Sequence, residues 1–149
     1  MKYKNILLVS LVLIVTPFAS ADGDLSRANV QTVVMEMGTN DGKMYFNPSH
    51  LNFKTGQAYK IVLKNVDTIK HEIEANEFVD KIFTRKVEVK DKNGGLVAEI
   101  KGAIREIEVG PMQEVEWYVV PIQPGKNIEM VCAIAGHKEA GMHGLITIQ

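Results

Sequence analysis

Cysteine is almost absent from the 149-residue chain: Cys132 stands alone, so no internal disulfide can form. A single thiol also excludes iron–sulfur clusters, which need several. Histidine is nearly as scarce, and four imidazoles are too few for a site holding several metal ions. No excess of positive charge is available for a polyanion: 17 basic residues stand against 18 acidic ones, which removes the electrostatic footprint of a nucleic-acid binder. Long helical periodicity, internal repeats, low-complexity tracts and linkers are missing too, so one domain is expected.

The longest apolar stretch, residues 6–15 interrupted only by Ser10, is about half the ~20 residues that a membrane span needs. Lys2 and Lys4 precede it, Pro17 breaks it, and Ala19-Ser20-Ala21 supplies the small residues of a cleavage site. Residues 1–21 therefore read as a secretory signal peptide, and residues 22–149 as the single exported domain. The run is not followed by cysteine, which excludes a lipid anchor there and leaves no stable membrane insertion after cleavage. Loss of Lys2 and Lys4 leaves 15 basic against 18 acidic residues, a net charge of −3. In an exported protein a lone cysteine must be buried, ligated or open to oxidation.

What is present is a series of short strand-like runs divided by turn residues. The pattern predicts strands over residues 32–37, 44–46, 58–64, 71–74, 85–89, 96–101, 104–109, 115–120, 127–132 and 145–149. Asn93-Gly94-Gly95 marks a hairpin and Pro124-Gly125 another turn. One short helix is expected over residues 77–83, where Phe78, Val79, Ile82 and Phe83 approach i, i+4 spacing. The expected fold class is all-β, a two-sheet sandwich with its loops gathered at the two ends.

The chemistry concentrates between the last two predicted strands, in Cys132-x4-His137-x4-Met142. Small residues between these positions let the loop fold tightly and turn thiolate, imidazole and thioether toward one point. A fourth donor must come from elsewhere, and His71 at the start of a predicted strand is the candidate. One thiolate, two imidazoles and a weak thioether suit copper. Zinc competes, but methionine is a poor ligand for it, so zinc must recruit Glu139 or His143 in place of Met142.

These residues resemble the cupredoxins, the small blue-copper proteins that include azurin, plastocyanin and rusticyanin. The likeness runs from Phe46-x-Pro48-x2-Leu51-x-Phe53-x2-Gly56, through residues 59–71, to Pro124-Gly125 and the Cys132 loop. It implies a Greek-key β-sandwich with one copper ion at one end, held by His71, Cys132, His137 and Met142. It also implies a periplasmic carrier of single electrons between redox protein partners, rather than an enzyme. A periplasmic copper-binding or delivery protein would use the same ligands, while a structural adhesin would bind no metal.

The chain departs from the family at Glu72, where many members carry asparagine after the first histidine. Glu72 either faces the copper, where an ionised carboxylate would favour Cu(II) and lower the potential, or points outward as a solvated strand residue. Residues 78–110 match no family motif and are expected to be an insertion. His50 and His143 are expected at the surface, Met35, Met37 and Met112 in packing roles, and Trp117 and Tyr118 in and beside the core. Arg85-Lys86 and Lys90-Asp91-Lys92 read as solvated charge. Ala133, Ile134, Ala135, Pro111 and Met112 are candidates for an apolar docking patch.

Overall fold

The computed structural model describes residues 28–149; the expected signal peptide lies outside the described residues. Eleven strands and one short helix follow in the order β1 (Gln31–Asn40), β2 (Lys43–Asn47), β3 (His50–Phe53), β4 (Tyr59–Asn65), β5 (His71–Glu74), α1 (Asn76–Asp80), β6 (Ile82–Lys90), β7 (Leu96–Ile100), β8 (Glu106–Val109), β9 (Glu114–Pro121), β10 (Gly125–Val131) and β11 (His143–Ile148). They form a six-stranded sheet, β2-β1-β4-β9-β6-β7, and a five-stranded sheet, β3-β11-β10-β5-β8. This is the expected all-β sandwich with one short helix. Among the described residues no helix is long and apolar enough to cross a membrane.

Alternation along each strand creates the core. Met35, Met37, Ile61, Leu63, Trp117 and Val119 of the first sheet are buried with Phe53, Ile73, Ile128, Met130, Ile146 and Ile148 of the second. Phe78 of α1 joins the two layers: its ring lies 5.4 Å from Phe53 and meets Trp117 edge-on at 5.7 Å. Such pairs add about 0.5–1.5 kcal/mol beyond the area they bury. The indole N–H of Trp117 donates to Thr84 Oγ1 at 3.2 Å, so the largest core side chain carries no orphaned donor.

Four expectations need correction. Strand β3 was not predicted, because Asn47-Pro48-Ser49-His50 reads as a turn. What makes it a strand is parallel pairing with β11, His50 beside Leu145 through Phe53 beside Ile148, a partner almost a hundred residues away. The helix stops at Asp80 rather than residue 83, since Ile82 and Phe83 are claimed by β6 and pair with Pro121 and Val120. Met112 is not packed but 71% exposed, with a left-handed φ of 56°. Lys86 and Lys90 are not simply solvated either: Lys90 reaches Glu116 at 2.6 Å, Lys60 reaches it at 3.0 Å, and Lys86 joins Glu88 and Glu99. Burial pushes the Glu116 carboxyl up, but hydrogen bonds from Lys90, Lys60 and Tyr118 more than reverse this and hold it at about 2.

At one end of the sandwich, the loops after β4, β8 and β10 meet. Asn65, buried at the end of β4, ties two of them together by donating from Nδ2 to the carbonyls of Ile69 and Val109 at 2.8 and 2.9 Å. Its backbone N–H donates to Gln113 C=O at 2.9 Å. The β4–β5 loop therefore has a fixed shape, and β5 opens with its first side chain, His71, inside that end.

Candidate metal centre

His71 is fully buried because the inward face of β5 carries His71 and Ile73 while Glu72 and Glu74 take the opposite face. Cys132 follows the last residue of β10, where a buried strand delivers the thiol to the same end. The chain then makes a tight loop. His137 N–H donates to Ile134 C=O, Ala140 N–H to Gly136 C=O, Gly141 N–H to Lys138 C=O and Met142 N–H to His137 C=O, each at 3.0 Å. Cys132 N–H closes the loop on Met142 C=O at 3.1 Å. Gly136 and Gly141 make this possible, with φ of +85° and +110° that side-chain-bearing residues rarely adopt.

The loop brings three donors together. Cys132 Sγ lies 3.2 Å from His137 Nδ1, and His137 Nδ1 lies 3.3 Å from His71 Nδ1. His71, Cys132 and His137 form a cluster whose ligand atoms lie within 4.8 Å of one another, a set that could hold one metal ion. Donors ranged about one ion at roughly 2.0–2.3 Å stand ~3.5 Å apart, so these separations fit with a small expansion. Met142 is fully buried and bonded through its backbone to both Cys132 and His137. Of the four sequence-predicted ligands only His137 reaches solvent, at 9% exposure.

The electrostatics suit a neutral His137 imidazole and a ligated thiolate. Burial, then the neighbouring His71, lowers the His137 pKa. Burial raises the Cys132 thiol, while N–H groups of Glu72 and Ile134 pull the other way by hydrogen bonding to sulfur. The Glu72 N–H lies 3.4 Å from Sγ. A buried thiol with two N–H donors ionises readily only when a cation takes its proton's place.

Glu72 is neither solvated nor free. The residue is buried, its carboxylate accepts the Ala133 N–H, and burial followed by Glu106 raises its pKa. It thus ties β5 to the residue after Cys132. His50 and His143 are exposed and lie outside the cluster, His50 Nε2 being 2.9 Å from Thr147 Oγ1. Glu139 is exposed as well, so neither carboxylate nor imidazole replaces Met142 in the way a zinc set requires.

One residue was missed. Asp67 Oδ2 lies 3.1 Å from His71 Nε2 and accepts the Thr39 hydroxyl at 2.6 Å. These hydrogen bonds, Thr39 first and then His71, hold the Asp67 carboxyl at about 2. The only sequence signal was an aspartate four residues before a candidate ligand, in a stretch that reads as an ordinary turn.

Sheet order, strand count and the tight Cys132–Met142 loop between the last two strands define a cupredoxin fold, and comparison with solved structures bears this out. The McoA multicopper oxidase of Aquifex aeolicus superposes with a TM-score of 0.62 at 18% identity, over 90% of this chain and 31% of that one. The copper nitrite reductase of Nitrosomonas europaea gives 0.61 at 14% identity, over 80% of this chain and 49% of that one. The chain thus spans about a third to a half of these enzymes. Among curated proteins, the copper-resistant cuproprotein CopI of Pseudomonas aeruginosa is 24% identical over 131 residues, with 72% of each chain covered. No protein-family model matches the chain.

Proposed function

We propose that this is an exported, periplasmic type 1 copper protein that carries single electrons between redox protein partners. His71, Cys132 and His137 are its strong ligands and Met142 its weak axial one. The observation that carries this reading is the meeting of one thiol sulfur and two imidazole nitrogens, 3.2 and 3.3 Å apart, at the loop end of a β-sandwich. The softness of that set favours copper. Bound there, copper supplies a one-electron couple.

The chain's own residues account for the rest. Strands β5 and β10 and the hydrogen-bonded loop hold the donors in one arrangement for both oxidation states, which keeps reorganisation small. The full burial of His71, Cys132 and Met142 excludes water, and the partly exposed edge of His137 gives electrons a short path outward. Exposed Ala133, Ala135, Pro111 and Met112, with half-buried Ile134, supply an apolar rim for docking. The leader-like residues 1–21 support export. The likeness to oxidases and reductases extends to the fold, and four histidines support a carrier rather than an enzyme.

Copper handling is the second reading, favoured by the similarity to a copper-resistance protein. Electron self-exchange separates the two. In half-oxidised samples followed by NMR, a carrier broadens the resonances of the reduced form in proportion to added Cu(II) protein. Slow exchange between separate signals, with copper passing within minutes to a Cu(I) chelator, would replace the carrier by a copper-delivery protein.

A further inference from the structure

A charged side chain from outside the ligand loop touches the candidate centre. We propose that Asp67 is a positioning residue for His71: it fixes the imidazole in the Nε2–H tautomer, leaves Nδ1 as a bare lone pair facing the other donors, and biases the bound metal toward its oxidised state. This rests on the copper reading above for its last part only.

A neutral imidazole carries one N–H and one acceptor nitrogen, and a carboxylate only accepts. With His71 Nε2 3.1 Å from Asp67 Oδ2, the proton belongs on Nε2. Nδ1, the atom 3.3 Å from His137 Nδ1, is then the free lone pair. Without the carboxylate, His71 has no such preference, and an Nδ1–H would point into the space the metal needs.

Asp67 is itself immobilised from several directions. Its Oδ2 accepts the Thr39 hydroxyl at 2.6 Å, its Oδ1 accepts the Thr68 N–H at 2.6 Å, and its own N–H donates to Asn65 Oδ1 at 2.8 Å. Its carbonyl accepts the Met112 N–H at 3.1 Å. Thr39 is the penultimate residue of β1 in the six-stranded sheet and His71 opens β5 in the other, so the carboxylate spans the sandwich at its metal end. A group held this firmly transmits orientation as well as charge. Carboxylate partners of ligating histidines raise ligand basicity, and removing them typically lowers metal affinity about 10- to 100-fold.

The test uses the 15N-labelled full domain, metal-free and copper-loaded, as wild type, Asp67→Ala and Asp67→Asn. Long-range 1H–15N spectra of the metal-free wild type should show His71 as the Nε2–H tautomer, with that preference lost in Asp67→Ala. Asparagine has one acceptor oxygen where Asp67 uses two, and with that oxygen on the Thr68 N–H its NH2 faces His71 Nε2, so Asp67→Asn should lose the charge and shift His71 toward the Nδ1–H tautomer, and it carries the test if the alanine variant fails to fold. Cu(II) affinity should fall about 10- to 100-fold in Asp67→Ala. In both variants it should fall more than Cu(I) affinity, raising the potential by ~59 mV for each tenfold difference. An Nδ1–H tautomer in the metal-free wild type, or unchanged affinity and potential in the variants, overturns the proposal. A wild type that takes up no Cu(II) defeats the copper reading instead, and the tautomer spectra still decide the role of Asp67.

Discussion

The Cys132–Met142 loop depends on two glycines that face different surroundings, and this predicts a measurable asymmetry. A Cβ on Gly136, at φ +85°, would meet open space, whereas one on Gly141, at φ +110°, would lie 3.0 Å from the Met44 carbonyl oxygen. That carbonyl cannot yield easily. Met44 pairs with Thr39 of β1, and its N–H donates to Ala140 C=O at 3.0 Å, so backbone presses on the loop from a fixed strand. Gly136→Ala should therefore cost about 1 kcal/mol, the penalty of a left-handed alanine. Gly141→Ala adds the close contact to a backbone strain of about 1–3 kcal/mol and should cost roughly 2–4 kcal/mol. Urea unfolding of the two metal-free variants gives the comparison at unchanged slope, and the melting temperatures should differ by about 3 °C per kcal/mol. Because Met142 follows Gly141 directly, that variant should also perturb the copper spectrum while Gly136→Ala leaves it nearly intact. Equal stabilities, or a Gly141→Ala loss below about 0.5 kcal/mol, would refute the claim that β2 clamps the loop.

Two further outcomes follow from groups away from the ligands. The Glu116 pKa is depressed to about 2, so its contribution is fully present above the unfolded carboxylate range and disappears as pH falls through that value. With Lys60 and Lys90 partly exposed, that contribution is about 1–2 kcal/mol, and Glu116→Gln should flatten the loss of stability measured between pH 4.5 and pH 2. An identical acid profile in the variant would contradict this. Met112→Lys should leave stability and spectrum unchanged, since the side chain is 71% exposed, yet slow electron self-exchange several-fold by placing charge on the proposed docking rim. An unchanged exchange rate would remove Met112 from that surface.

Local signals carried much of this architecture, and nonlocal pairing explains what they missed. Strand β5 begins and ends where its alternation predicts, and the Asn93-Gly94-Gly95 hairpin is closed by Asp91, whose Oδ1 accepts the N–H groups of Asn93 and Gly95 at 2.7 and 2.9 Å. Strand β3 was illegible because four residues after a turn become a strand only by pairing with β11. Phe83 has the same cause: its helical spacing with Val79 is overridden by a place beside Val120. The C-x4-H-x4-M spacing and a strand-initial histidine located the cluster of His71, Cys132 and His137. Glu72 and Asp67 could not be placed, since a burial or a hydrogen bond between loops leaves no periodic trace in the chain.

The most direct test of the metal centre is the visible absorption and EPR spectrum of residues 22–149 loaded with Cu(II), recorded beside Cys132→Ser. An intense thiolate-to-copper band and narrow copper hyperfine splitting, both lost in the variant, are the expected result. A colourless protein with ordinary Cu(II) signals, or a spectrum that survives removal of the thiol, would contradict it.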